Sequence, residues 1–406
     1  MEKLYTQKHT KDSLYYAISI MLERASYYGL RVLIVLYLTE GVLKMDKLAT
    51  STIYGLIAGS LMFSKILGAL LGDLLLGNKK TIIIGAILHA IGAFCLCIPS
   101  LSGLYVGLIL IAIGGGFFVP NITSNFGKLY LNKPKLIDAG FTLYYLIINL
   151  GAFFGIMLMG YLGETIGFNV GFITAGTLML LSIIPVLLSK EKTPVRLKKS
   201  SFSISKRVLI ILTTFFLVGL FWGIYKIAGA RIFDLHALLC KLPSLSVSNS
   251  FLLSINSYFS IAGCLITAVI WTYFYNSRFF KMLLGFVFGV LSYGILLFIP
   301  EIPTEQHLFI YIASMFFIAL SEVLIAPTIF GVLLQYSNPK YLAILISLMF
   351  IPTRLMALLF GLFENHFEEN SMLGLKFSIV AMSIIALALM GYLLWNRKAN
   401  TYELEQ

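Results

Sequence analysis

Apolar runs long enough to cross a bilayer recur along this whole chain, and no other feature restricts its fold so severely. In hydrocarbon a segment must satisfy its own backbone N–H and C=O groups, so about 20 apolar residues in a row read as a spanning helix. Spans are placed at roughly 15–38, 50–73, 79–99, 101–125, 138–162, 169–189, 207–230, 249–273, 279–299, 306–334, 341–363 and 373–395. The expected class is an all-α polytopic membrane protein. No cleavable signal pattern is expected, because Met1–Ser13 is polar and the first span carries internal charges. Cys95, Cys97, Cys240 and Cys264 make no metal-ligand spacing and read as small packing residues.

Thirty Lys and Arg against 18 Asp and Glu give a net charge of +12, but the distribution argues against nucleic acid. The basic residues collect on the N-terminal tail, on alternate loops (Lys79, Lys80, Lys128, Lys190 to Arg207, Arg278, Lys281) and on the C-terminal tail. The positive-inside rule then puts both termini in the cytoplasm, in a multi-pass cytoplasmic (inner) membrane protein. The longest such loop is basic and central, which divides the chain into a six-helix bundle over 1–189, a linker over 190–206, a second bundle over 207–396 and a tail over 397–406. Six spans, a linker and six spans resemble a two-bundle secondary transporter with its site at the midplane. No phosphate-binding glycine loop, Ser-His-Asp set or zinc-ligand set is present, so an enzyme is not expected, nor a metal site. His89 lies within a span and reads as a helix contact.

The first span holds Ile20-Met21-Leu22-Glu23-Arg24-Ala25-Ser26-Tyr27-Tyr28-Gly29-Leu30-Arg31. At 100° per residue, Glu23, Arg24, Tyr27, Tyr28 and Arg31 fall within about 140° of one another. Each charge at mid-bilayer costs at least ~2.5 kcal/mol, so this face lines a wet or paired interior. An Arg–Glu pair that merely joins helices is the plainer reading, but five polar groups exceed what one helix contact needs.

This string resembles the first-span signature of the proton-dependent oligopeptide transporter (POT/PTR) family, a branch of the major facilitator superfamily. That signature reads Glu-x-x-Glu-Arg-Phe-x-Tyr-Tyr-Gly, then Arg after one residue; here Ile20 replaces the first glutamate and Ala25 the phenylalanine. The likeness continues in order through Gly68-Ala69-Leu70-Leu71-Gly72-Asp73, Gly116-Phe117-Phe118-Val119-Pro120-Asn121 and Phe141-Thr142-Leu143-Tyr144-Tyr145. It runs on through Phe221-Trp222-Gly223-Ile224-Tyr225-Lys226, Ser254-Ile255-Asn256 and Ser321-Glu322 to Pro327. The resemblance implies a major facilitator fold of 12 transmembrane helices in two six-helix bundles. It implies proton-coupled symport of peptides or peptide-like substrates by alternating access, with no cofactor beyond the proton gradient. Substrate, protons and lipid are the partners, and a monomer is expected. By position, Arg24, Tyr27, Tyr28, Arg31, Asn149, Lys226, Asn256 and Glu322 would bind substrate, while Glu23 and Glu322 would carry the proton. A family lysine in span four pairs with a glutamate in span seven; here those positions read Val119 and Lys226. A proton-independent exporter or exchanger of organic anions, and a non-transporting scaffold or sensor, are the alternatives.

The charges well inside spans are Arg24, Arg31, Lys65, Lys226 and Arg354 against Glu23 and Glu322. A wet cavity with excess cations favours a bound anion, so anionic or N-modified substrates are expected, with Lys65 and Arg354 as candidate cavity cations. Lys226, roughly 28 Å of helical rise into its span, fits an outward snorkel equally well. Arg354 either lines a cavity or pairs with Glu322. Asn149 and Asn256 either meet substrate or bond across helices. Glu322 is the most informative acid: a buried carboxyl that holds a proton when alone, and loses it more readily once a cation approaches, suits a proton–substrate switch.

Overall fold

The computed structural model describes residues 8–39, 47–190, 202–242, 249–274, 276–361 and 370–395. Most of the linker (191–201) and the tail (397–406) lie outside the described residues. The fold is almost wholly helical, with no strand among the described residues. In chain order the helices are α1 (Lys11–Thr39), α2 (Lys47–Leu70), α3 (Asn78–Cys95), α4 (Leu101–Lys128), α5 (Ile137–Thr165), α6 (Phe168–Leu181), α7 (Ile183–Leu188) and α8 (Ile204–Leu239). They continue as α9 (Asn249–Tyr273), α10 (Arg278–Leu296), α11 (His307–Ile325), α12 (Thr328–Tyr336), α13 (Leu342–Leu348), α14 (Phe350–Gly361) and α15 (Ser371–Trp395). Ten helical stretches among the described residues are long and apolar enough to cross a membrane. Two further helices of comparable reach are α1, which carries Glu23, Arg24 and Arg31, and α3, which opens on Asn78-Lys79-Lys80.

Proline explains where spans break. A proline offers no N–H to the carbonyl four residues earlier and crowds it. Accordingly α6 ends at Leu181, four before Pro185, and α13 ends at Leu348, four before Pro352. Pro327 separates α11 from α12 just beyond Glu322, so the span expected over 306–334 is two helices in series. Pro120 is absorbed inside α4. Serines open several helices by accepting a backbone N–H: Ser100 from Gly103 (3.0 Å), and Ser277 from Phe280 (3.3 Å).

The span expected over 207–230 runs on to Leu239, because Arg231 is no loop residue. It is buried inside α8, where its guanidinium donates to the carbonyls of Ile299 (3.2 Å) and Pro300 (3.1 Å) beyond the end of α10.

The chain forms two compact units. Unit 1 comprises Met1–Lys133, Ile147–Phe202 and Leu333–Phe350; unit 2 comprises Pro134–Leu146, Ser203–Val332 and Ile351–Gln406. Each unit therefore incorporates a short segment from the other half of the sequence. In unit 1, Leu30, Leu33, Tyr37, Leu108, Met159 and Phe172 form an apolar core. Here α4 meets α2 with no room for a side chain: a Cβ on Gly116 would overlap the backbone of Ser64. Such small-residue seams are how spanning helices associate when burial against lipid offers little drive. In unit 2, Phe221, Phe286, Tyr293 and Leu375 are completely buried.

Candidate functional site

In unit 1 one face of α1 gathers five predicted residues. Glu23 is fully buried, and Arg24 donates to both of its oxygens, through Nε at 2.5 Å and through the terminal nitrogen at 2.7 Å. This fork is a strong charge-assisted arrangement, and it cancels both charges locally. The Arg24 guanidinium also lies 5.1 Å from the Tyr27 ring centre and 5.7 Å from that of Tyr28. Arg31 approaches the same two rings, at 5.9 and 5.6 Å. The rings meet edge to face at 5.3 Å. On the opposite side of α1, Ser26 donates to the Ala175 carbonyl at 2.9 Å and lies 3.3 Å from His89 Nε2. His89 is thus a buried helix contact.

The other predicted residues of unit 1 lie on neighbouring helices. Asn149 is half-buried on α5. Lys65 is half-buried on α2, its ammonium 3.5 Å from the ring centre of Phe350.

In unit 2 the organising group is Glu322, buried at 7% exposure on the last full turn of α11. Asn256 Nδ2 donates to it at 3.3 Å, and the Tyr225 hydroxyl is its second hydrogen-bond partner. Both donors are neutral. The pairing of Arg354 with Glu322 that the sequence left open is not formed: Arg354 is exposed on α14. Lys226, beside Tyr225 in sequence, is exposed on α8. The structure thus brings Asn256 and Glu322 together and adds Tyr225, whose hydroxyl nothing in the Phe221 to Lys226 motif singles out.

Two buried charge clusters were also missed. In unit 2, Asp138 on the first turn of α5 accepts from Arg278 Nε at 2.9 Å and from Lys281 Nζ, and all three are at least nine-tenths buried. The Lys281 ammonium lies 4.3 Å from the Trp271 ring centre, and Gly331 closes the cluster: a Cβ there would come 2.7 Å from Arg278 Nε and Asp138 Oδ1. In unit 1, Lys128 Nζ donates to Asn78 Oδ1 (2.6 Å), and Asn78 Nδ2 donates to Asp73 (2.9 Å) and Asn121 (2.7 Å). Asp73 in turn accepts the Ile344 N–H at 3.0 Å, capping the start of α13. Lys128, Arg278 and Lys281 had been counted as loop charges that report topology. They are instead buried partners of carboxylates and amides.

Outside the spans, His9 Nδ1 and the Tyr130 hydroxyl are 2.8 Å apart. Burial, and then the neighbouring Lys133 charge, hold His9 below the usual histidine range. Burial pushes the Tyr130 hydroxyl up to about 12.

A model of the POT family matches residues 79–213. YclF, an uncharacterized transporter of Bacillus subtilis, is 35% identical over 176 residues, which are 42% of this chain and 36% of that protein. A di-/tripeptide transporter of Lactococcus lactis is 34% identical over 171 residues, 40% of this chain and 34% of that one. The alignments therefore span about a third of these relatives' length. Solved POT structures extend the likeness to the whole fold. A peptide transporter POT in complex with sulfate superposes with a TM-score of 0.67 at 21% identity, covering 94% of both chains. A POT family transporter in complex with 5-aminolevulinic acid gives 0.67 at 20%, covering 96% of this chain and 97% of that one. The architecture is the fold of these solved structures, a nearly all-helical multi-pass membrane fold.

Proposed function

We propose that this POT-family protein is a secondary active transporter that takes up short peptides or peptide-like molecules with protons, by alternating access across the cytoplasmic membrane, as a monomer with both termini in the cytoplasm. The observation that carries the reading is Glu322. It is a buried carboxyl beside a helix break, and its hydrogen-bond donors, Tyr225 and Asn256, are neutral. Neutral donors hold either protonation state, so the proton equilibrium of such a carboxyl responds to any cation that arrives, including the ammonium of a peptide. Glu23 is the second candidate carrier; its fork to Arg24 opens if it is protonated, which frees a guanidinium for a substrate carboxylate. Arg31, Tyr27, Tyr28 and Asn149 in unit 1, and Lys226 and Asn256 in unit 2, would orient substrate, with Lys65 and Arg354 as further cations biasing the site toward anionic or N-modified members. The names of the relatives, among them di-/tripeptide transporters, support the peptide class.

The test is uptake into proteoliposomes under an inward proton gradient, with a neutral dipeptide, its acidic counterpart and an N-acetylated acidic form. Peptide entry with lumen acidification, lost in Glu322→Gln, is the expected result. Entry that ignores the proton gradient would sink the coupling, and no entry of any member would sink the peptide reading.

A further inference from the structure

A serine or threonine inside a spanning helix can return its hydroxyl to the carbonyl one turn back. In unit 2, Thr214 gives its own to Ile210 at 2.8 Å, and Thr267 gives its own to Gly263 at 2.7 Å. Ser260 does not. It is buried on α9, at 2% exposure, and its hydroxyl has no hydrogen-bond partner among the described residues. Two more buried oxygens of this unit share that condition: the Tyr293 hydroxyl on α10 and Oδ1 of Asn256 on α9. Burying such groups unmatched costs stability, so a ligand that matches them is bound favourably. All three belong to the surroundings of Glu322. Asn256 donates to the carboxyl at 3.3 Å. Ser260 and Cys264 lie one and two turns further along, within about 80° of Asn256 on the same face of α9. The Cys264 and Tyr293 side chains both lie within electrostatic reach of Glu322. Just past the carboxyl, α11 stops. Pro327 has no N–H to give the carbonyl of Val323, which is left on the last turn. Such a helix end carries partial negative charge, and carbonyls freed at breaks of this kind coordinate cations in transporters.

We propose that Glu322, Asn256, Ser260, Tyr293 and the Val323 carbonyl form a binding site for one monovalent alkali cation. Every donor atom is an oxygen, which suits a hard cation and not a soft one. The charge balance selects monovalence. Both hydrogen-bond donors to Glu322 are neutral, so one carboxylate balances one positive charge, whereas a divalent ion would leave a buried charge uncompensated. Turning the Asn256 amide over exchanges Nδ2 for Oδ1 beside the carboxylate with little change of shape. The site shares Glu322 with the transporter reading but goes beyond it, since it needs no peptide.

The experiment is thermal unfolding of the purified full chain in sodium, potassium or choline chloride at constant ionic strength and pH, with no peptide present. Sodium or potassium should raise the melting temperature saturably above its value in choline, an ion too large for the site. Glu322→Gln should abolish that rise. Ser260→Ala and Tyr293→Phe should each raise the half-saturating cation concentration roughly tenfold. In choline both should melt no lower than the unaltered chain, because each removes a buried hydroxyl that has no partner. That measurement also reports that each variant is folded. A chain that melts alike in all three salts has no such site, whatever becomes of peptide uptake. Variants that melt lower in choline and keep the unaltered half-saturation would make the two hydroxyls packing groups and overturn the assignment. Cation protection without entry of any peptide would leave this site standing and sink the peptide reading alone.

Discussion

Replacing Asp138 by Asn tests the most heavily buried three-charge cluster among the described residues. The carboxylate is 5% exposed and holds two cations, Arg278 at 6% and Lys281 at 2%. Amide replacement keeps the shape but removes the charge, so two buried cations are left facing each other without the carboxylate between them. Breaking a buried pair from one side costs about 3–5 kcal/mol, because the stranded charge cannot recover its hydration. Spread over an unfolding entropy of about 2.1 cal/mol/K per residue, a loss near 4 kcal/mol in a 406-residue chain lowers the melting temperature by roughly 5 °C. The assay is thermal unfolding in detergent, followed by loss of the monodisperse peak in size-exclusion chromatography. The reasoning also predicts its own rescue. Removing all three charges together, as Asp138→Leu, Arg278→Leu and Lys281→Met, should recover most of the loss, since an apolar replacement strands nothing. If Asp138→Asn melts with the unaltered protein, or the triple variant melts as low as the single one, the cluster does not contribute through charge compensation.

Three further outcomes follow from the same reasoning. Tyr225→Phe, which removes one neutral donor from Glu322, should cost about 0.5–1.5 kcal/mol of stability and alter the pH profile of peptide uptake, whereas Tyr273→Phe at an exposed site should do neither. Gly116→Val should destabilise unit 1 by about 1–3 kcal/mol, since its first carbon overlaps the Ser64 backbone; a melting temperature equal to that of the unaltered chain would mean α2 and α4 can part at this seam without loss. His9 accepts from Tyr130 only when neutral and is held below its usual value of 6.5, so its contribution is complete above that pH and is lost as pH falls. His9 is only partly covered, so the effect is below ~1 kcal/mol: the melting-temperature gap between the unaltered chain and His9→Gln should shrink from pH 7.5 to pH 5, and a gap that widens would reverse the sign.

The fold was legible because each of its determinants is local. Run length separates the spans. A proline marks each break at Pro185, Pro327 and Pro352. The α1 cluster was legible for the same reason: Glu23, Arg24, Tyr27, Tyr28 and Arg31 are neighbours within three helical turns, so periodicity alone puts them on one face. What stayed hidden are contacts closed over long sequence separations. Arg278 and Asp138 are 140 residues apart, and Asp73 caps a helix 271 residues downstream. A lysine at a span's end looks the same in sequence whether it snorkels to water, as Lys80 can, or turns inward to a carboxylate, as Lys281 does. The discriminating signal was present: a lone acid at one end of an apolar span, such as Asp138 or Asp73, cannot stay unpartnered near hydrocarbon. Each such acid requires a basic or amide-bearing segment to come to it, and the basic residues at span ends are where that partner must be found. Counting those residues as topology and as ion partners at once, rather than as topology alone, would have exposed both clusters from the sequence.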